Sequence, residues 1–376
     1  MKTLSMIIFF FICNISTIIM AVITPYITRK TESFGISIPE EVNSCTEIKE
    51  IRGSYIKKTL ISCGVLALIV LAAVLLEPSD AVFLLIPASM LVNLFFMYVY
   101  YMNGHKKMKD LKAKEKWTAG RTQTVVIDTS FRSKKSVVSP LWFLLYAIMI
   151  VATAAMGIAL YDEIPARIPM HWNIEGAIDR WADKSYMTIM WVPLVQIFMT
   201  FTMMFSYWMI GKSKQVINSS NPEVSSEQNR LFRYRWTSFI IITGLALLVL
   251  FVFIQLFTFG FLKDSWLLSG VIIIFTLGIL IGSIVLSIKT GQGGSRIHVK
   301  GYVEDNGEKK IANRDEDKFW KLGLIYCNPD DPSIFVEKRF GVGWTINFGR
   351  PGAWAVALGF IVVLAAFTIA VITFTK

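Results

Sequence analysis

Eight apolar runs punctuate the chain, at about Leu4–Thr24, Thr59–Leu76, Ala81–Met102, Leu141–Leu160, Tyr186–Ile210, Ser238–Gly260, Leu267–Ile288 and Ala353–Thr375, and they leave it few folds to choose from. A helix rises about 1.5 Å per residue, so about 20 apolar residues cross a hydrocarbon core about 30 Å thick. No Asp, Glu, Lys, Arg or His interrupts any of the eight. Spanning strands would be shorter and alternate in polarity, whereas these runs are apolar on every face. The expected fold class is therefore an all-α polytopic membrane protein of about eight transmembrane helices. The first run is longer than the apolar part of a signal peptide and has no small-x-small cleavage pattern before Pro25, so it reads as a retained span.

Charge gives the orientation. With the amino terminus outside, segments 25–58, 103–140, 211–237 and 289–352 carry 32 of the 38 Lys and Arg residues. Basic loops stay on the cytoplasmic side. The sequence thus predicts a multi-pass plasma-membrane protein with both termini outside. Its net charge of +11 is a topology signal that also favours membrane lipid as a partner, and a nucleic-acid partner is not needed to explain it. The four cysteines include no CxxC pair and none on the predicted outer side, so neither a disulfide nor a zinc site is expected. Spans without ionisable groups argue against a proton-coupled pump. Their larger polar residues are Asn14, Asn93, Gln196 and Gln255, with Pro87 and Pro193 as candidate bends.

Five segments follow: 1–140, three spans with a basic cytoplasmic loop; 141–210, two spans and the outer loop 161–185; 211–288, a span hairpin; 289–352, a cytoplasmic linker and β-meander; and 353–376, the last span. Residues 40–58 suit a short surface helix. His105–Trp117, rich in lysine, serves either as a contact for anionic lipid or an acidic partner, or only as a topological stop. Gln123–Thr129 reads as a strand, and Asn221-Pro222 as the restart of a helix. Gly278 and Gly282 offer a close-packing face that specifies no particular oligomer. The glycine-rich start of 289–352 reads as a linker or weak hairpin turning at Asp305-Asn306-Gly307, and lacks a phosphate-loop pattern. Beyond it, Leu322–Cys327, Ile334–Lys338 and Trp344–Phe348 read as a three-strand meander. Its candidate residues are Asn328, Pro329, Asp331, Lys338, Arg339, Gly341, Gly343 and Asn347.

The outer loop holds the most varied chemistry. Pro165 and Pro169 forbid a continuing helix, and a turn at Asn173-Ile174-Glu175-Gly176 lets 168–173 fold back on 177–181. Asp183 or Ser185 would cap the fifth span. His171, Asp179 and Asp183 are donors of the kind a divalent metal takes, but their spacing matches no ligand motif. A histidine hydrogen-bonded to a neighbouring carboxylate is the simpler arrangement. With no Gly-x-Ser-x-Gly, no cysteine outside and no second histidine in the loop, nucleophilic catalysis lacks its nucleophile–base pair.

Pro169, His171, Trp172, Asn173, Gly176, Asp179, Trp181 and Lys184 together resemble the signature of the membrane domain at the amino end of SdpI-type bacterial immunity proteins. GLIYCNPDDPSIFVEKRFGVGWTINFG resembles a second domain of Gram-positive membrane proteins, often paired with the first. The resemblance implies a bacterial membrane protein like those that resist a secreted killing peptide and signal its presence by holding a repressor at the membrane. The chain departs from that pattern in having eight spans in place of six.

The expected function is non-enzymatic: immunity to, or sensing of, a secreted peptide or envelope stress. His171, Trp172, Asn173, Asp179, Trp181 and Lys184 are the expected ligand-binding residues, and Pro169 and Gly176 the turn formers. No cofactor is expected. A cationic peptide outside and a regulator inside are the expected partners. The alternatives are a metal-assisted hydrolase at the outer surface and a transporter accessory subunit.

Overall fold

The computed structural model describes residues 2–76, 84–117, 122–124, 135–173, 177–299, 311–313 and 315–374. Eight helices in it are long and apolar enough to cross a membrane. Span one is Lys2–Ile27, span two Thr46–Leu76, span three Leu85–Glu115 and span four Phe143–Ala159. Span five is Tyr186–Ile189 continued by Trp191–Lys212, span six Pro222–Thr258, span seven Ser265–Thr290 and span eight Pro351–Phe374.

Several helices outrun their apolar stretches, all toward one end of the bundle. Span two absorbs most of the expected surface helix, because no Pro separates Thr46 from the membrane run. Ile48, Arg52, Tyr55 and Thr59 form one buried stripe along it at helical spacing. Span three continues through the lysine-rich stretch to Glu115 and buries Tyr101, Gly104 and Met108 on one face. Span six starts at Pro222, as Asn221-Pro222 foretells, and runs 37 residues without a break. Span five does break, at Met190. Pro193 has no N–H to donate to the turn before it, and that first turn is held instead by a capping box on Ser185.

Spans one, two and three pack together, as do four, five and six, with span seven touching one and six. In lipid such packing rests on close contact and a few interhelical hydrogen bonds. Asn93 donates to Asn14 at 2.9 Å, tying span three to span one. Gln196 donates to the Leu248 carbonyl and Gln255 to the Thr153 carbonyl, both at 3.1 Å, and the Tyr146 hydroxyl donates to the Ile241 carbonyl at 2.7 Å. Span eight lies on span five through stacked rings, Phe198 on Phe367 at 3.9 Å. Gly282 does meet a neighbour, Phe239, but Gly278 faces open space, so the two glycines do not make a shared packing face within this chain.

The strands near the carboxy terminus are two short hairpins in place of one continuous meander. Trp320–Lys321 pairs antiparallel with Ile325–Tyr326, and Phe335–Glu337 with Trp344–Ile346. A single parallel bridge, Tyr326 to Asn347, joins them. The proline-bracketed loop 328–332 explains the change: it turns the chain so that the first expected strand meets the third instead of the second. Of the expected strand Gln123–Thr129, the structure shows Thr122–Thr124, paired in parallel with Ile311–Asn313. The rest of it, and the Asp305-Asn306-Gly307 turn, lie outside the described residues.

Tyr146 is fully buried, and a methyl added at Gly244 would overlap its ring and hydroxyl. Gly244→Ala is expected to cost about 1–3 kcal/mol by overpacking. Gly278→Ala, into open space, should change stability by no more than about 1 kcal/mol, in the stabilising direction. Thermal unfolding of both variants in detergent checks the contrast.

Candidate functional site

Two polar assemblies stand at opposite ends of span six. The first is the 161–185 hairpin. Arg167–Trp172 pairs antiparallel with Ile178–Asp183, with register irregularities around His171. Asn173 closes the ladder toward its turn: its N–H donates to the Ala177 carbonyl at 2.8 Å, and its side-chain oxygen accepts from the Ala177 N–H at 2.9 Å. Gly176 lies outside the described residues.

The hairpin is mounted on an apolar seat. Ile164, Ile168 and Ile189 bury against Phe259 from the far end of span six, and Pro169 is buried with them. Lys184 secures the base: its ammonium donates to the carbonyls of Tyr161 and Ile164 at 3.1 and 2.9 Å and lies 4.8 Å over the Tyr161 ring. Of the residues expected to bind a ligand, Lys184 is thus occupied in holding the loop.

Toward the tip, the His171 Nδ1 meets Asp179 Oδ1 at 2.6 Å with both side chains exposed. Trp172 is half-buried and Trp181 exposed. Asp183 sits at the other end of the ladder, opposite Arg167, so the three donors offered by the sequence are not brought together. Among the described residues no group of three or more His, Cys, Asp or Glu could hold a metal. The arrangement presents carboxylates and aromatic edges on a firm base.

The second assembly is buried. Glu337 is 3 % exposed, and its carboxylate accepts from Arg29 and from the Asn229 amide, the latter at 2.7 Å, with Arg233 at 3.9 Å. Arg233 also donates to the Asn229 side-chain oxygen at 2.7 Å and to the carbonyls of Ile210, Ser213 and Lys214. Gln292 fastens the same place. It accepts from the Arg29 N–H at 2.9 Å and donates to Glu32 and to the Lys338 carbonyl.

The start of the glycine-rich stretch after span seven, expected as a linker or weak hairpin, is packed. Gln292, Gly293 and Gly294 are buried. A methyl on Gly293 would overlap Arg29 and Glu337, and one on Gly294 the Gln228 backbone, both at positive φ. Only glycine lets the chain pass so close.

Around that centre lies a partly exposed ring of pairs. Arg339 bonds Asp317, faces Glu32 at 3.9 Å and covers the Trp320 ring at 5.2 Å. Lys112, from the lysine-rich stretch, bonds Asp315 and Asp317 at 2.6 and 2.7 Å. Lys214 bonds Asp331 at 2.8 Å. The candidate residues of 328–347 are thus largely scaffold. The Asn347 amide donates to the carbonyls of Asn328, Asp331 and Ser333, and its oxygen accepts from the Asn328 N–H. The Gly341 N–H donates to Thr28, and the Lys338 N–H to the Gly343 carbonyl. The Pro329 carbonyl accepts from Arg350 at 3.2 Å.

Sequence reasoning missed Arg29, Glu32, Asn229, Arg233, Gln292 and Glu337. The usable signals were Asn229 and Arg233 one helical turn apart at the start of a span, and a glycine run where a linker needs none.

Residues 148–197 match a domain of unknown function (DUF1648). It is the domain associated with SdpI, and the match takes in the hairpin and the spans that carry it. Residues 329–354 match a family of unknown function (DUF5808), a stretch that includes Glu337, Arg339 and Asn347. No curated protein and no solved structure matches the chain.

Burial would raise the Asp317 carboxyl, but Arg339 and Lys112 outweigh it and hold it below the ordinary value of 3.8. Asp331 is likewise lowered: burial is opposed by Lys214 and the Ser333 N–H. Glu32 is raised above 4.5, because burial outweighs its arginines. A lowered carboxyl adds stability that is complete above its ordinary value and lost as pH falls through the native one. A raised carboxyl keeps its proton in the native state, so its contribution declines as pH rises above 4.5. Unfolding followed against pH in detergent should have a shallower acid limb in Asp317→Asn/Asp331→Asn. Glu32→Gln should flatten the opposite slope above 4.5. Glu337→Ala, which takes the carboxylate from the buried Arg233 and the partly buried Arg29, is expected to cost about 3–5 kcal/mol and to raise hydrogen exchange across 320–347.

Proposed function

We propose that the chain is a non-enzymatic, multi-pass plasma-membrane protein that gives immunity to, or senses, a secreted cationic peptide through the 161–185 hairpin on its outer side. The observation that supports this best is the exposed rim of that hairpin on its buried isoleucine seat. Trp181 and Tyr186 are 44 % and 62 % exposed, beside five acids and three bases in 161–185. An amphipathic cationic peptide at the bilayer surface offers apolar and positive groups to complement both. The match to an SdpI-associated domain over the same residues supports the immunity class.

Span six supplies the connection to the other side. Peptide contact bears on Ile168 and Ile189, which pack on Phe259, and the same helix carries Asn229 and Arg233 into the Glu337 cluster. A regulator docked on the cytoplasmic side would read a shift in that cluster.

The test is survival of a deletion strain challenged with secreted bacterial peptides and envelope-active antibiotics. Wild type should restore protection against one agent. Asp179→Ala/Trp181→Ala, at equal membrane abundance, should restore none. Full protection by the double variant would remove the hairpin from the mechanism.

A further inference from the structure

Near the basic end of the first three-helix group, spans two and three leave a shallow, open groove between them. Lys58 lines it from span two and Lys107 from span three, with Ser54, Tyr55, Tyr100 and Asn103 between them. Neither lysine has a carboxylate partner among the described residues, although Lys112, five residues further along span three, has two. The groove has two cations, hydroxyl and amide donors, and no acid in its lining.

Its depth is set by the sequence. Lys58 immediately precedes the apolar run of span two, and Lys107 follows that of span three by five residues. The groove therefore stands where a bilayer's headgroups lie. On the membrane side it continues into an exposed apolar face. Ile61 and Val99 are 56 % and 42 % exposed, and Phe96 stacks on Tyr100 at the groove's edge at 6.1 Å. The floor is firm: Gly104 lies against the buried Phe34 ring, which packs on Tyr55 and Tyr101.

We propose that this groove binds the phosphate headgroup of an anionic phospholipid, with an acyl chain laid along Phe96, Val99 and Ile61. A basic pocket between spans that opens onto an apolar face meets both halves of such a lipid. The site is separate from the hairpin and does not depend on the function proposed for it. It also gives one part of the lysine-rich stretch a specific role: Lys112 holds the protein's own aspartates, and Lys107 takes the lipid.

The test is native mass spectrometry of the full chain released from mixed micelles of phosphatidylglycerol and phosphatidylcholine. Wild type is expected to retain phosphatidylglycerol at least about tenfold better. Lys58→Gln/Lys107→Gln should lose that preference. Lys106→Gln/Lys109→Gln, which removes two exposed lysines outside the groove, should keep it. All four side chains are exposed, and unchanged melting of both double variants checks their fold. Equal retention of the two lipids by wild type, or equal loss in both double variants, would overturn the site in favour of general basic adhesion. Displacement of the lipid by millimolar inorganic phosphate would overturn the lipid assignment in favour of a free anion.

Discussion

A carboxylate sealed between guanidiniums sets the terms for the basic end of this protein. Removing Glu337 from water is costly, and only close, well-directed partners repay it. Those partners come from the end of span one, the first turns of span six and, through Gln292, the turn after span seven. Glu337 lies two residues before Arg339, which makes the next charged pair in the ring. None of these segments can leave without stranding a buried charge, so the cluster fixes the register of parts that lie up to 308 residues apart.

The two ends of the bundle solve the same problem differently. At the hairpin end an antiparallel ladder satisfies the backbone locally, and four apolar side chains anchor it. At the other end the strands are two or three residues long. They are too short to hold themselves, and side-chain bonds such as the five made by Asn347 take over from the ladder. The matched family profiles fall one on each end, over 148–197 and 329–354.

What could be read from sequence follows from how local its cause is. The spans were legible because each is a continuous apolar run, and the hairpin because Pro169, Asn173 and the paired strands are neighbours in the chain. The His171–Asp179 contact was legible for the same reason. The Glu337 cluster was not, since Arg29, Asn229, Gln292 and Glu337 sit in four separate segments that look like ordinary basic loop. Polarity pattern gives each span a length, but not which polar residue across the bundle it will meet. The glycines after span seven were misread because flexibility and close approach ask for the same residue type.

Span six has a mechanical property that its length alone confers. At about 1.5 Å per residue, 37 helical residues make a rod of about 55 Å, nearly twice the thickness of the hydrocarbon core. Pro222 is at its first turn, so no proline interrupts it further on. A rod pivoting near its middle by about 4° swings each tip by about 2 Å, in opposite directions. One tip carries the seat of the hairpin, and toward the other lie Asn229, which bonds Glu337 at 2.7 Å, and Arg233, which bonds Asn229 at 2.7 Å. A tilt of that size therefore shifts Asn229, about 16 Å from the pivot, by about 1 Å, enough to strain a directed hydrogen bond.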